Sequence, residues 1–111
     1  MGSAHKEIEM EAGRYLDARI AEEVMGYERI PSRKPYGFGN AWLPHYSTRI
    51  QDAWLVVEKF DKKTFMMGRH RLSGNLRWVV DIFTGNKTGP YRGIADTAPL
   101  AICLAALRAI E

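Results

Sequence analysis

Residues 98–110 read Ala-Pro-Leu-Ala-Ile-Cys-Leu-Ala-Ala-Leu-Arg-Ala-Ile, a run with one charge and almost no polar face. Its mostly apolar stretch, Ala98 to Leu107, is about half the length a bilayer requires and does not span a membrane. It reads instead as a helix beginning near Asp96-Thr97, with Pro99 tolerated because first-turn amides lack internal partners. A helix apolar all round must be buried on most sides. A chain of 111 residues is one domain by length, 1–111, so its remaining elements must serve largely to cover this helix. The apolar fraction of 46% and charged fraction of 26% are those of a globular protein. Met1 to His5 is expected to be unstructured, with Met-Gly-Ser of the kind that cloning leaves behind. Glu7, Glu9 and Glu11 occupy the place of a signal peptide's apolar stretch, which points to a soluble cytosolic protein.

Other elements follow from periodicity. From Lys6 to Met25, Ile8, Ala12, Leu16, Ile20 and Val24 recur every four positions, which predicts one helix capped at Gly26. Gly13 inside it implies close approach by a neighbour. Thr48 and Gln51 are spaced as a capping box ahead of a second helix with the stripe Ile50, Ala53, Trp54, Val57 and Phe60. Strands are predicted at Thr64–Arg71 and Leu76–Thr84, joined through Ser73-Gly74-Asn75. Gly85 to Asp96 reads as a turn-rich loop. The class is therefore α+β, a small helix–sheet–helix sandwich in the order α-α-β-β-α with an antiparallel hairpin. Two strands make a marginal sheet with exposed edges, so completion by a homo-oligomer, dimer or higher, is expected. A short strand at Ala41-Trp42-Leu43 is the alternative supplement.

Charge is unevenly placed. Residues 1–26 are net acidic and 27–111 net basic, for an overall +3. Arg29 to Arg49 and Lys62 to Arg77 contain no carboxylate, and such fields concentrate anions. A net of +3 is modest for a phosphate-backbone footprint, which argues against extended nucleic acid as the partner.

Pro31, Pro35, Gly37, Gly39 and Pro44 break every period between residues 27 and 46. Loops of that length are uncommon in small domains unless they bind something. This one carries Tyr27, Tyr36, Phe38, Trp42 and Tyr46, interleaved with Arg29, Arg33, Lys34, Asn40 and His45. Aromatic faces stack on bases and guanidinium groups fork onto phosphates. The same aromatics serve equally to pack a loop down on helices, and the sequence leaves both readings open. Gly37-Phe38-Gly39 lacks the Lys-Ser/Thr and the preceding strand of a P-loop. The second loop holds Asn86, Lys87, Thr88, Gly89, Tyr91, Arg92 and Gly93 before the last helix. Asp96, expected at the cap, would already satisfy the amides an anion needs there, so a plain turn is the better reading.

No catalytic set assembles. Cys103 lies in the apolar helix and reads as a core thiol. Asp81 is expected to pair with Arg69 or Arg77 rather than act as a base. His45, His70 and Asp81 are the only residues that a nucleotide-degrading enzyme would have available as a base. No metal-ligand spacing appears, and no cofactor is implied.

Three segments carry a resemblance. They are Ala12-Gly13-Arg14 with Leu16-Asp17 and Ile20 to Gly26; Pro44 through Tyr46-Ser47-Thr48 with Ala53-Trp54 and Val56 to Lys59; and Thr97 to Cys103 with Ala105-Ala106-Leu107. In this order the chain resembles the phage ABA sandwich domain, a family of small bacteriophage and prophage proteins. The resemblance implies a helix–sheet sandwich and a phage gene expressed in the bacterial cytoplasm, and brings no catalytic residues. The combined expectation is a non-enzymatic protein that sequesters a small anionic nucleotide-type ligand, a host immune signal. Its contacts would come from Arg33, Lys34, Tyr36, Phe38, Trp42, His45, Tyr46, Arg69, Arg71, Tyr91 and Arg92. The alternative is an interaction module that binds a host or phage protein through the same loop, since Tyr, Trp and Arg also dominate interface hot spots.

Overall fold

A computed structural model describes residues 11–39, 41–60, 65–84 and 89–110. The expectation for Met1 to His5 lies outside these residues, as do the first turn of the predicted first helix and Asn86-Lys87-Thr88. Helix α1, Arg14–Arg19, runs directly into a π-helical turn, Ile20–Val24. Helix α2 is Ile50–Lys59, strands β1 to β3 are Phe65–Leu72, Asn75–Ile82 and Tyr91–Ala95, and helix α3 is Ala98–Ile110. The class is α+β, with a three-stranded antiparallel sheet in the order β1-β2-β3.

The third strand corrects the expected order and replaces a segment read as loop. It pairs Trp78 with Ala95, Val80 with Gly93 and Ile82 with Tyr91. The alternative strand at Ala41-Trp42-Leu43 does not form; those residues turn. One sheet face gathers Val80, Ile82, Gly93 and Ala95, all buried, against α3. Gly93 is what permits the contact. A Cβ there would collide with the backbone carbonyl of Ala101 and lie 2.5 Å from Ala105 N, so β3 rests directly on the helix backbone. The opposite face carries Met66, His70, Arg92 and Ile94, all exposed.

Helix α3 is covered as its composition demands. The sheet takes one side, and α2 and the π-helical turn take others. Ala101 to Leu107 are all buried, Leu104 at 5% exposure. Both reasons for expecting self-association, an uncovered helix and a two-stranded sheet, are thus met within a single chain. Nine-tenths or more of each buried apolar side chain is removed from water, and each buried Val, Leu, Ile or Phe contributes about 1.5–3 kcal/mol.

Among the described residues the first helix begins after Gly13, whose φ of 151° is costly for any L side chain. No atom lies within 4 Å of where its Cβ would be, so the glycine serves a turn and not a close approach. The capping box at Thr48 and Gln51 does not form either. Arg49 is the N-cap and makes no side-chain cap bond. At α3, Thr97 Oγ1 accepts weakly from Leu100 N–H at 3.4 Å, while Asp96 turns away to Arg77 Nε at 3.0 Å.

Candidate functional site

The long loop is fixed at its far end by a buried polar cluster. Asp17 and Ser47 are both fully buried. Asp17 Oδ1 accepts from the Ser47 N–H at 2.8 Å and from its hydroxyl at 2.7 Å. The Gly13 N–H donates to Ser47 Oγ at 2.9 Å. Arg14 completes the cluster: Nη1 donates to Asp17 Oδ2 (2.9 Å) and Pro44 O (3.2 Å), and Nη2 to Leu43 O (2.6 Å). A buried carboxylate survives only when its lone pairs are satisfied, and here charge-assisted bonds from two segments satisfy them. One residue on, the His45 N–H donates to Asp52 Oδ2 at 2.7 Å, which ties the loop to α2 as well.

This clamp explains two departures from expectation. Tyr46, a candidate ligand contact, is 1% exposed and belongs to the core, where burial pushes its phenol well above the ordinary range. Phe38 is 5% exposed and packs into the same core, so it presents at most an edge to a ligand.

Nearer its start the loop is held by its own backbone. The Ile30 N–H donates to Gly37 O (2.8 Å), Arg33 N–H to Ile30 O (2.9 Å) and Gly37 N–H to Arg33 O (2.6 Å). Arg29 Nη2 meets Glu22 Oε1 at 3.1 Å across to the π-helical turn. These turns open a hollow of about 210 Å³ lined by Tyr27, Glu28, Ile30, Arg33, Gly37, Phe38 and Trp42. Trp42 meets Tyr27 edge-on with ring centres 5.3 Å apart and Phe38 at 6.1 Å. Trp42, Tyr27 and Ile30 remain 52%, 44% and 38% exposed. Large apolar groups held in the open around a concave surface mark a contact site more often than a scattered exposed residue does.

Of the predicted contacts, the structure brings together Arg33, Phe38 and Trp42, and adds Tyr27, Glu28 and Ile30. Tyr27 stands among the loop aromatics in the sequence; Glu28 and Ile30 carry no sequence signal, because only the Ile30–Gly37 turn sets them around the same hollow as Phe38. Tyr36 leans on the core and Lys34 is exposed, and neither lines the hollow. His45 is occupied through its backbone at Asp52 and does not line it either.

The sheet residues form a separate group. Arg69 stacks over Trp78 at 5.4 Å, Arg71 Nη1 donates to Gly74 O at 3.2 Å, and Tyr91 sits half-buried on β3. Arg92 grips Asp81 with two bonds, Nε–Oδ1 at 2.8 Å and Nη2–Oδ2 at 3.0 Å. Asp81 therefore pairs with Arg92, not with Arg69 or Arg77. The reason is the unforeseen strand β3, which sets Arg92 directly across from it. Arg92 also borders a second hollow of about 200 Å³ with Gly93, Ile94, Leu104 and Arg108. His70 and Asp81 share a shallow recess of about 90 Å³ on the open sheet face, and Arg92 engages both oxygens of that carboxylate. Cys103 is fully buried, and burial pushes its thiol well above the usual range, with the Asp17 charge adding to the effect. Among the described residues no helix is long and apolar enough to cross a membrane, and no group of three or more His, Cys, Asp or Glu is placed to hold a metal.

Comparison with known proteins gives two matches. The family model of the phage ABA sandwich domain matches residues 18–107. Among solved structures, the 2.0 Å crystal structure of a phage protein from Bacillus cereus ATCC 14579 is similar at 30% identity and a TM-score of 0.64, covering 91% of this chain and 96% of that one. No curated protein matches the chain.

Proposed function

The chain belongs to the phage ABA sandwich domain family, and from that premise we propose that it is a non-enzymatic binding protein that captures a small anionic nucleotide-type ligand. The observation that carries this reading is the loop hollow. The exposed rings of Tyr27 and Trp42 converge there over the edge of Phe38, beside Arg33, a guanidinium with no ion-pair partner among the described residues. Rings offer π-faces to a base, and a free guanidinium offers a fork to a phosphate. A phage protein of this kind acts in the cytoplasm of the bacterial host, where removing a nucleotide signal blunts a defence that depends on it. Self-association remains part of the proposal on a new footing. The outer edges of β1 and β3, together with exposed Met66 and Ile94, offer surface for a second copy.

Calorimetry of the purified protein against a panel of mononucleotides, cyclic nucleotides and ADP-ribose tests the reading, alongside mass spectrometry for nucleotide retained through purification. Micromolar or tighter binding, with the ligand recovered intact after denaturation, is the expected result. Absence of binding across the panel, or recovery of a degraded ligand, overturns it. A stoichiometric protein retained from host lysate through Trp42 would favour the interaction-module reading instead.

A further inference from the structure

The hollow has two charged walls of opposite sign. Arg33 and Glu28 both line it, both are exposed, and neither forms an ion pair with the other or with any described residue. Other described opposite charges are joined, as Arg14–Asp17, Arg19–Glu23, Arg77–Asp96 and Arg92–Asp81 are. An unpaired cation and an unpaired carboxylate bordering one aromatic recess match a ligand that is itself polar in two senses.

Resting on the nucleotide-binding reading above, we infer that the site selects a nucleotide whose base bears an exocyclic amino group, donated to Glu28, and which presents a single phosphate to Arg33. A carboxylate is an acceptor only, so it rewards an N–H₂ edge and is repelled by a carbonyl oxygen in the same place. Among the described residues Arg33 is the one cation that lines the hollow, and Glu28 stands within the screening length of anything placed there, so an additional phosphate meets repulsion without a new lining partner. Size points the same way. At about 210 Å³ the hollow is smaller than the roughly 300–1,000 Å³ of sites that enclose a whole drug-sized ligand. It holds a base and its near surroundings, not two bases.

The experiment compares adenosine 5′-monophosphate, inosine 5′-monophosphate, adenosine and ATP by calorimetry on the full chain. AMP and IMP differ at the one edge that Glu28 would read. AMP is expected to bind about tenfold more tightly than IMP, the worth of one hydrogen bond to a charged group. ATP is expected to gain nothing over AMP. Glu28→Lys should reverse the AMP-to-IMP order, and Arg33→Ala should bring AMP down to the affinity of adenosine while leaving adenosine unchanged. Both positions are exposed, and unchanged melting temperatures confirm that the variants fold. Binding of AMP and IMP with equal affinity, or an order unmoved by Glu28→Lys, overturns this inference and leaves nucleotide binding standing. Failure of every nucleotide to bind removes both.

Discussion

The stretch from Tyr27 to Gly39 and the stretch from Leu43 to Ser47 belong to one loop, yet opposite means fix them. The first is held by short-range backbone bonds among Ile30, Arg33 and Gly37 and by one exposed ion pair. The second is nailed to α1 by Arg14, Asp17 and Ser47, residues 30 or more positions apart for the decisive bonds. The aromatic side chains follow the same division except for Phe38, which reaches from the first stretch into the core. Tyr46 is core, whereas Tyr27 and Trp42 stand open. A loop built this way keeps a rigid root and an adaptable rim, and the rim can change its contacts without disturbing the root.

The comparison breaks most visibly if the root is cut. Asp17→Ala leaves Arg14 and Ser47 buried without their carboxylate and is expected to cost about 3–5 kcal/mol in denaturant unfolding. Tyr46→Ala should cost a similar amount by opening a cavity. A loss under about 1 kcal/mol for Asp17→Ala would mean the clamp is incidental. Gly93→Ala, remote from the loop, supplies a reference for pure packing damage. Forcing a methyl into the β3–α3 contact should remove about 1–3 kcal/mol, read in the same unfolding curves.

Trp42→Ala sharpens the contrast from the rim. With half its surface already in water, it should lower stability by about 1 kcal/mol or less while weakening a stacked nucleotide by roughly 5- to 150-fold, about 1–3 kcal/mol. A stability loss near that of Tyr46→Ala with unchanged affinity would assign the rim to packing. The smallest effect concerns pH. Hydrogen bonds from Arg19 hold the Glu23 carboxyl below its ordinary value of 4.5, against some desolvation. Because the folded value is depressed, the stabilisation is complete above the ordinary value and fades as pH falls through the folded one. Wild type should exceed Glu23→Gln by about a few tenths of a kcal/mol at pH 7, and the difference between the two melting curves should shrink as the pH falls below the ordinary carboxyl range.

Much of this architecture is legible from periodicity. Helix α3 announces itself by having no polar face, α2 by its stripe, and the hairpin by Ser73-Gly74 between two apolar-rich runs, with boundaries within two residues of those observed. Strand β3 was hidden for a physical reason. Its inward residues are Tyr91, Gly93 and Ala95, and Gly93 must be small because the α3 backbone leaves no room for more. Close packing had erased the very alternation that marks a strand. The clamp was hidden differently. Within a helix predicted from Lys6 to Met25, Asp17 falls in the interior and carries no mark of its own, and only the fold brings Ser47 to it. Gly13, Arg14, Asp17 and Ser47 all sit within the segments that carry the family resemblance, so those segments mark a joint rather than a ligand site. The rim could be read only as far as its composition. Its aromatics and Arg33 were visible, but the turn that folds Glu28 and Ile30 beside them was not.

The single cysteine has a use that follows from where it sits. Cys103 lies at the centre of the helix that β2, β3, α2 and the π-helical turn cover, and its thiol is both enclosed and held in the unreactive form. In the native molecule a thiol reagent therefore meets nothing to react with, and labelling must wait for the fold to open. One covalent mark per chain then acts as a clock for that opening. Timing the mark with and without a bound nucleotide reads how much longer an occupied rim keeps the whole domain shut.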